Sequence, residues 1–262
     1  MSTNRTDKIK HLMQIWPMHT VATASWLMEH NITYGNLSKY VKSGWVKKLS
    51  SGAFVRPHDE ISWEGAVAGL QNQYPNCFYV GGRTALELLG AAHFIPMSKS
   101  KLFIFTYERR QLPFWFSNYT KNIGLACAYL QYRFLPPKLG ITSYDCGEFK
   151  IEISSRERAA LEVVELLGQH HDFEGCRLLF ENLSTLRPKL VQELLEGCTS
   201  IKAKRIFLFL SKNLGHKWFN DLDLTRVDFG SGPRDITPGG VYDPEFKITY
   251  PRDFFNDDKL EV

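Results

Sequence analysis

The side chains best placed to do chemistry lie between positions 33 and 57. Asn36, Ser38, Lys39 and Lys42 fall on one side of a short predicted helix that opens at Thr33-Tyr34 and stops at Gly44. Asn and Lys at helical spacing can bond base edges, because a helix fits the major groove, about 12 Å wide. Immediately after it, Lys47, Lys48, Ser50, Ser51 and Arg56 sit on two alternating runs, Trp45 to Leu49 and Ala53 to Pro57, separated by the turn Ser50-Ser51-Gly52. A hairpin carrying amines, hydroxyls and a guanidinium is suited to phosphate oxygens, which position a protein on a duplex. The expected nucleic-acid contacts are therefore Thr33, Tyr34, Asn36, Ser38, Lys39, Lys42, Lys47, Lys48, Ser50 and Arg56.

Other constellations are weaker. Asp145 with Glu148 and Lys150 forms an acid followed by E-x-K, a pattern by which some nucleases hold a metal and place a lysine near the scissile phosphate. Such a triplet is common by chance on a short strand. Asp221-Leu-Asp223 resembles paired metal carboxylates, but Gly230-Ser231 follows it where a nucleotidyltransferase needs the pair to precede. His170-His171-Asp172 follows Gly168 at a predicted helix end, where histidine commonly meets terminal carbonyls. Gly81-Gly-Arg-Thr84 has neither the G-x-G-x-x-G spacing nor the Lys-Ser/Thr of a phosphate loop, so packing explains its glycines better. The five cysteines are odd in number and without a C-x-x-C pair, as expected of reduced, buried thiols. These patterns lead us to expect no cofactor, no metal and no catalytic residue.

The elements that must position the basic residues follow from periodicity. Ile9, Leu12, Met13 and Trp16 share one face of a first helix closed by Pro17. Thr20 or Thr23 can cap a second helix ending near His30-Asn31, and Thr33 caps the third, whose Leu37, Tyr40 and Val41 turn inward. Three short helices and then a hairpin is the winged helix-turn-helix order. Beyond Ile61, Ser62 caps a helix with Trp63, Val67 and Leu70 as its inward stripe. Strands are predicted at 77–80, 101–107 and 147–154, and an apolar knot at Leu112-Pro-Phe-Trp-Phe116 reads mostly as core. The last hundred residues open with helices, the first behind a capping box at Ser154-Ser-Arg-Glu157, and end in Gly- and Pro-rich loop and short strand. The expectation is an α+β protein: a winged helix-turn-helix domain over 1–60 and a larger mixed α/β domain over 61–262, with a possible sub-boundary near 150.

Charge supports a nucleic-acid partner for the first segment only. Residues 1–58 carry eight Lys/Arg against Asp7 and Glu29, a net of +6, whereas the whole chain holds 32 basic and 28 acidic residues, so the remainder nets −2. A basic helix and hairpin can also be plain solvated surface, but local charge together with element order favours a polyanion. With 44% hydrophobic and 23% charged residues, no long apolar run and a polar N-terminal stretch, the chain reads as an ordinary soluble protein of the cytoplasm.

Ten short segments in order resemble the AbiEi-type antitoxins of type IV toxin-antitoxin systems, which are winged-helix regulators. Among them are Tyr40-Val-Lys-Ser-Gly-Trp45, Trp63-Glu-Gly-Ala66, Val80-Gly-Gly-Arg-Thr-Ala-Leu-Glu-Leu-Leu-Gly90, Ser155-Arg-Glu-Arg-Ala-Ala-Leu-Glu162, Lys202-Ala-Lys-Arg-Ile-Phe-Leu208 and Gly239-Gly-Val-Tyr-Asp243. The resemblance implies a repressor that binds its own promoter and opposes a nucleotidyltransferase toxin. Under that implication, a basic helix with Lys202, Lys204, Arg205 and Lys212, and Arg187 and Lys189 nearby, is the candidate partner surface. An orphan regulator without a toxin is the alternative.

Overall fold

The structure, a computed structural model, describes residues 5–91 and 101–255. The chain divides into two compact units, one drawn from residues 1–80, 99–131 and 143–153, the other from 81–98, 132–142 and 154–262. The segment 1–60 thus shares its unit with later parts of the chain.

Three helices and a small sheet open the chain: α1 (Arg5–Ile15), β1 (Ala22–Thr23), α2 (Ala24–Glu29), α3 (Tyr34–Lys42), β2 (Lys47–Ser50) and β3 (Ala53–Val55). This is the expected winged helix-turn-helix, with one strand more than periodicity revealed. The two-residue β1 pairs with β3, giving the order β1-β3-β2. Of the two threonines offered as cap for α2, Thr23 serves, its hydroxyl accepting from the Trp26 N–H. Asn31 takes the left-handed exit at φ 63°. Ile9, Leu12, Trp16, Leu27, Leu37, Tyr40, Val46 and Phe54 form one buried cluster beneath the helices.

After α4 (Trp63–Gln73) come β4 (Phe78–Val80), α5 (Gly82–Leu88), β5 (Lys101–Thr106), α6 (Phe114–Asn122), β6 (Ala126–Gln131), β7 (Ile141–Asp145) and β8 (Lys150–Ser154). The five strands form a sheet ordered β6-β5-β4-β8-β7, in which β5 runs parallel to β6 and antiparallel to β4. Its edge strands β6 and β7 were not among the strands expected from the sequence. Gln71 on α4 stitches the sheet to the helix, donating to the Phe78 and Glu152 carbonyls at 3.2 and 2.9 Å and accepting from the Glu152 N–H at 2.8 Å.

The inward stripe expected on α4 is too narrow. Trp63 is only half-buried, whereas every residue from Gly65 to Gln71 is buried. Gly65 and Gly69 allow this, because a Cβ on them would lie 1.7 Å from the His19 carbonyl oxygen and 2.5 Å from that of Val21. The helix therefore lies directly on the chain leading into β1.

In the second unit, α7 (Arg156–Glu165), α8 (Phe173–Glu181), α9 (Pro188–Gly197) and α10 (Ile201–Asn213) precede two 3₁₀ turns and the hairpin β9 (Val241–Asp243) and β10 (Ile248–Tyr250). The cap of α7 is Ser155 rather than Ser154. The Ser154 hydroxyl instead donates to the Glu162 carboxylate at 2.8 Å, and Glu157 turns to Arg187. Glu162 and Arg158 form a fully buried pair at 2.9 Å. The second Glu162 oxygen also accepts from the Gly82 N–H at 2.8 Å, while Arg158 donates to the Pro136 and Leu139 carbonyls. Buried charges persist only when so satisfied. The Gly81-Gly82 turn is thus occupied by an internal carboxylate, in keeping with packing glycines. No helix among the described residues is long and apolar enough to cross a membrane.

Candidate nucleic-acid interface

Helix α3 begins where Thr33 leaves the extended region and its hydroxyl accepts from the Asn36 N–H at 3.3 Å. Leu37 and Tyr40 point into the core, which fixes the rotation of the helix and leaves Tyr34, Ser38, Lys39 and Lys42 exposed; Asn36 is half-buried. Tyr34, at 66% exposure, stands at the N-terminal end, the end from which recognition helices contact bases. Neither Lys39 nor Lys42 has an ion-pair partner among the described residues.

The hairpin closes a cavity of about 510 Å³ against this helix. Leu37, Val41 and Phe54 line it with apolar surface, while Ser38, Lys42 and Lys48 add hydroxyl and ammonium groups, joined by Ser51 from the turn. Gly52 occupies the left-handed region at φ +76° and its carbonyl accepts from the Ala24 N–H at 2.9 Å, tying the tip to the start of α2. The register shifts between Lys48 and Ser50, a bulge at Leu49 that leaves Ser50 half-buried. Lys47 is exposed and opposes Val55 across the ladder, whereas Lys48 opposes Phe54.

Arg56 departs from its expected role. Its guanidinium donates to the Met13 and Trp16 carbonyls at the end of α1, so it closes the module from within. Free carbonyls at a helix C-terminus attract a cation, and a half-buried arginine meets that need before it can reach phosphate.

The expected basic surface of α10 does not form. Lys204 and Arg205 are buried, at 2% and 0% exposure. Arg205 donates to the Phe229, Gly230, Gly232 and Lys247 carbonyls and pins the loop before β10. Burial presses its guanidinium pKa down, with Arg234 adding repulsion. Lys202 donates to the Glu165 and Leu167 carbonyls at 3.0 and 2.7 Å. Lys212 pairs with Glu245, and Arg187 makes three 3.0 Å bonds to Glu157, from its backbone N–H, Nε and Nη2. Of the six, Lys189 is exposed without an ion pair among the described residues.

Asp145 and Glu148 line a cavity of about 570 Å³ with His19, Glu60 and Glu64. One Asp145 oxygen accepts from the Gly147 N–H at 2.8 Å, which shapes the turn between β7 and β8, and the other lies 3.7 Å from Lys150 Nζ. Cys146 beside them is pushed up to about 11 by burial and by Glu64 and Asp145. Asp172 caps α8 and Asp223 caps a 3₁₀ turn, which accounts for both acidic motifs locally. Among the described residues no three His, Cys, Asp or Glu side chains are arranged to hold a metal ion.

Comparison with known proteins identifies the family. Residues 5–97 match the model of the N-terminal domain of the AbiEi antitoxin transcriptional regulators, and residues 99–251 match that of the AbiEi antitoxin transcriptional regulators of type IV toxin-antitoxin systems. Among solved structures, the RV2827C protein from Mycobacterium tuberculosis is similar in fold, with a TM-score of 0.60 at 14% identity over 93% of this chain and 90% of that one. No curated protein sequence matches.

Proposed function

Because the chain belongs to the AbiEi antitoxin family of transcriptional regulators of type IV toxin-antitoxin systems, we propose that it is a DNA-binding repressor of its own operon in the cytoplasm, acting through residues 1–60. The observation that carries this reading is the convergence of α3 and the hairpin on one cleft, with Ser38, Lys42, Lys48 and Ser51 around it and Lys39 beside it. The helix reads or approaches base edges through Asn36, Lys39 and Lys42, and the hairpin bonds phosphate through Lys47 and Lys48. A mobility-shift titration on the DNA upstream of the gene tests it. Lys39→Ala with Lys42→Ala should weaken binding and lower the salt slope by about one unit per lost phosphate contact. Unchanged affinity and slope would remove α3 from the interface.

Opposition to a nucleotidyltransferase toxin is the second half of the proposal, assigned to residues 61–262 and supported by family membership. Of the cations first considered for that work, Lys189 and the exposed side of Arg187 remain available in the folded chain. Co-expression of the full chain with the nucleotidyltransferase encoded beside it should restore growth. A folded chain that leaves growth arrested would identify an orphan regulator instead.

A further inference from the structure

The five-stranded sheet ends at β6, and that edge is open. Its residues pair with β5 in unbroken register from Lys101↔Ala126 to Thr106↔Gln131. Among the described residues, the backbone of 126–131 has no hydrogen-bond partner on its outer side. An edge strand in this state is a template for pairing with another chain. Edge strands β2, β7 and β9 carry charges that discourage such addition, Lys47 and Lys48 on the first, Asp145 on the second and Asp243 on the third. By contrast, Ala126-Cys-Ala-Tyr-Leu-Gln131 has no charge, no proline and no bulge.

A groove of about 680 Å³ adjoins this strand. Cys127, Tyr129 and Gln131 alternate along β6 and line the groove from the sheet, while Ser117, Thr120 and Lys121 line it from α6. Ala128 and Leu130, which point the other way, are buried. The Tyr129 hydroxyl donates to the Arg110 carbonyl, and the Gln131 amide donates to the Tyr129 hydroxyl at 3.0 Å, so the sheet side of the groove is held in place. Lys121 is exposed, has no ion-pair partner among the described residues and is the one charge among those lining the groove.

We propose that an extended acidic segment of a partner protein adds to the sheet at β6 and lays alternate side chains into the groove beside α6. In such strand addition, main-chain hydrogen bonds supply affinity and alternate side chains supply specificity. Charge selects the occupant. Lys121 stands in a groove with no acid among its lining residues, so a carboxylate on the added strand meets it there. The β6 of a second copy is uncharged and would leave Lys121 unanswered. This inference goes beyond the DNA-binding reading and stands whether or not the chain binds a duplex.

Selection of a random phage-displayed octapeptide library on the full chain tests it. Enriched peptides should be rich in β-forming residues and carry an acid, and selection on Lys121→Glu should enrich bases in its place. An N-methyl scan of the best acidic peptide against wild-type protein should then show a period of two, because only alternate N–H groups of an added strand face β6. Methylation at those positions should weaken binding by about tenfold and leave the others unchanged. Ala126→Lys, which gives the edge a charge like those of the other edges, should abolish binding with an unchanged unfolding midpoint. No enrichment on wild-type protein, an N-methyl scan without that period, or peptides that bind Lys121→Glu equally well would each overturn the proposal. A doubled mass in sedimentation equilibrium that Ala126→Lys halves would also overturn it, since the edge would then be closed by a second copy.

Discussion

Helices α3 and α10 are both basic, and they use their cations in opposite ways. In α3, Lys39 and Lys42 face solvent without ion-pair partners among the described residues. In α10, Arg205 and Lys202 are spent on backbone carbonyls and Lys212 on Glu245. The difference lies in what surrounds the charges. Lys204 and Arg205 directly precede Ile206-Phe-Leu-Phe-Leu210, a run that is apolar all round and must be buried all round. Leu37, Tyr40 and Val41 instead make a stripe, so the rest of α3 stays wet. Basic residues stay accessible only where the helix has a side to spare.

This contrast can be broken by experiment, beginning with the largest effect. Arg205→Met should cost about 3–5 kcal/mol, because it leaves buried carbonyls without a donor; a denaturation midpoint close to wild type would show that the loop is held by other means. The Arg187–Glu157 pair should appear as acid sensitivity. Burial alone would raise the Glu157 carboxyl, but the side-chain and backbone hydrogen bonds from Arg187 outweigh it and hold the carboxyl at about 2. With the folded value below the usual 4.5, its contribution is complete above that pH and is lost as pH falls toward 2. The loss should be about 2 kcal/mol, discounted for the exposure of Arg187, and Glu157→Gln should flatten the stability profile through that window.

The caps give a smaller effect. Thr33→Ala at the start of α3 should cost about 1 kcal/mol in thermal unfolding. Ser200→Ala at the start of α10 should cost more, since its hydroxyl caps Ala203 and also donates to Glu165. The smallest changes should come from the exposed lysines. Lys39→Ala with Lys42→Ala, and separately Lys212→Ala, should each shift stability by less than about 0.5 kcal/mol. Only the α3 pair should reduce DNA affinity.

Local signals were legible in the sequence and long-range ones were not. Thr33, Ser62 and the Ser50-Ser51-Gly52 turn act within a few residues, and each does what its type and spacing predict. The strand β1 is two residues long and exists only because β3 lies beside it, so no periodicity could reveal it. Arg56 looked like a hairpin cation because the carbonyls that claim it lie some forty residues away. The fate of Arg205 is likewise decided by carbonyls distant in sequence. Composition located the basic segment, but only the register separated Lys47 from Lys48.

The strand β3 has a consequence for binding thermodynamics. Ala53, Phe54 and Val55 are all buried, and the tip is tied at Gly52 to the start of α2. A free-standing hairpin of this length would fluctuate in water and would have to be ordered by its ligand. Here that ordering is completed during folding, so association sacrifices little conformational entropy. Affinity should therefore respond to the hairpin's charges far more than to its stiffness, and shortening or rigidifying the Ser50-Ser51-Gly52 turn should gain almost nothing.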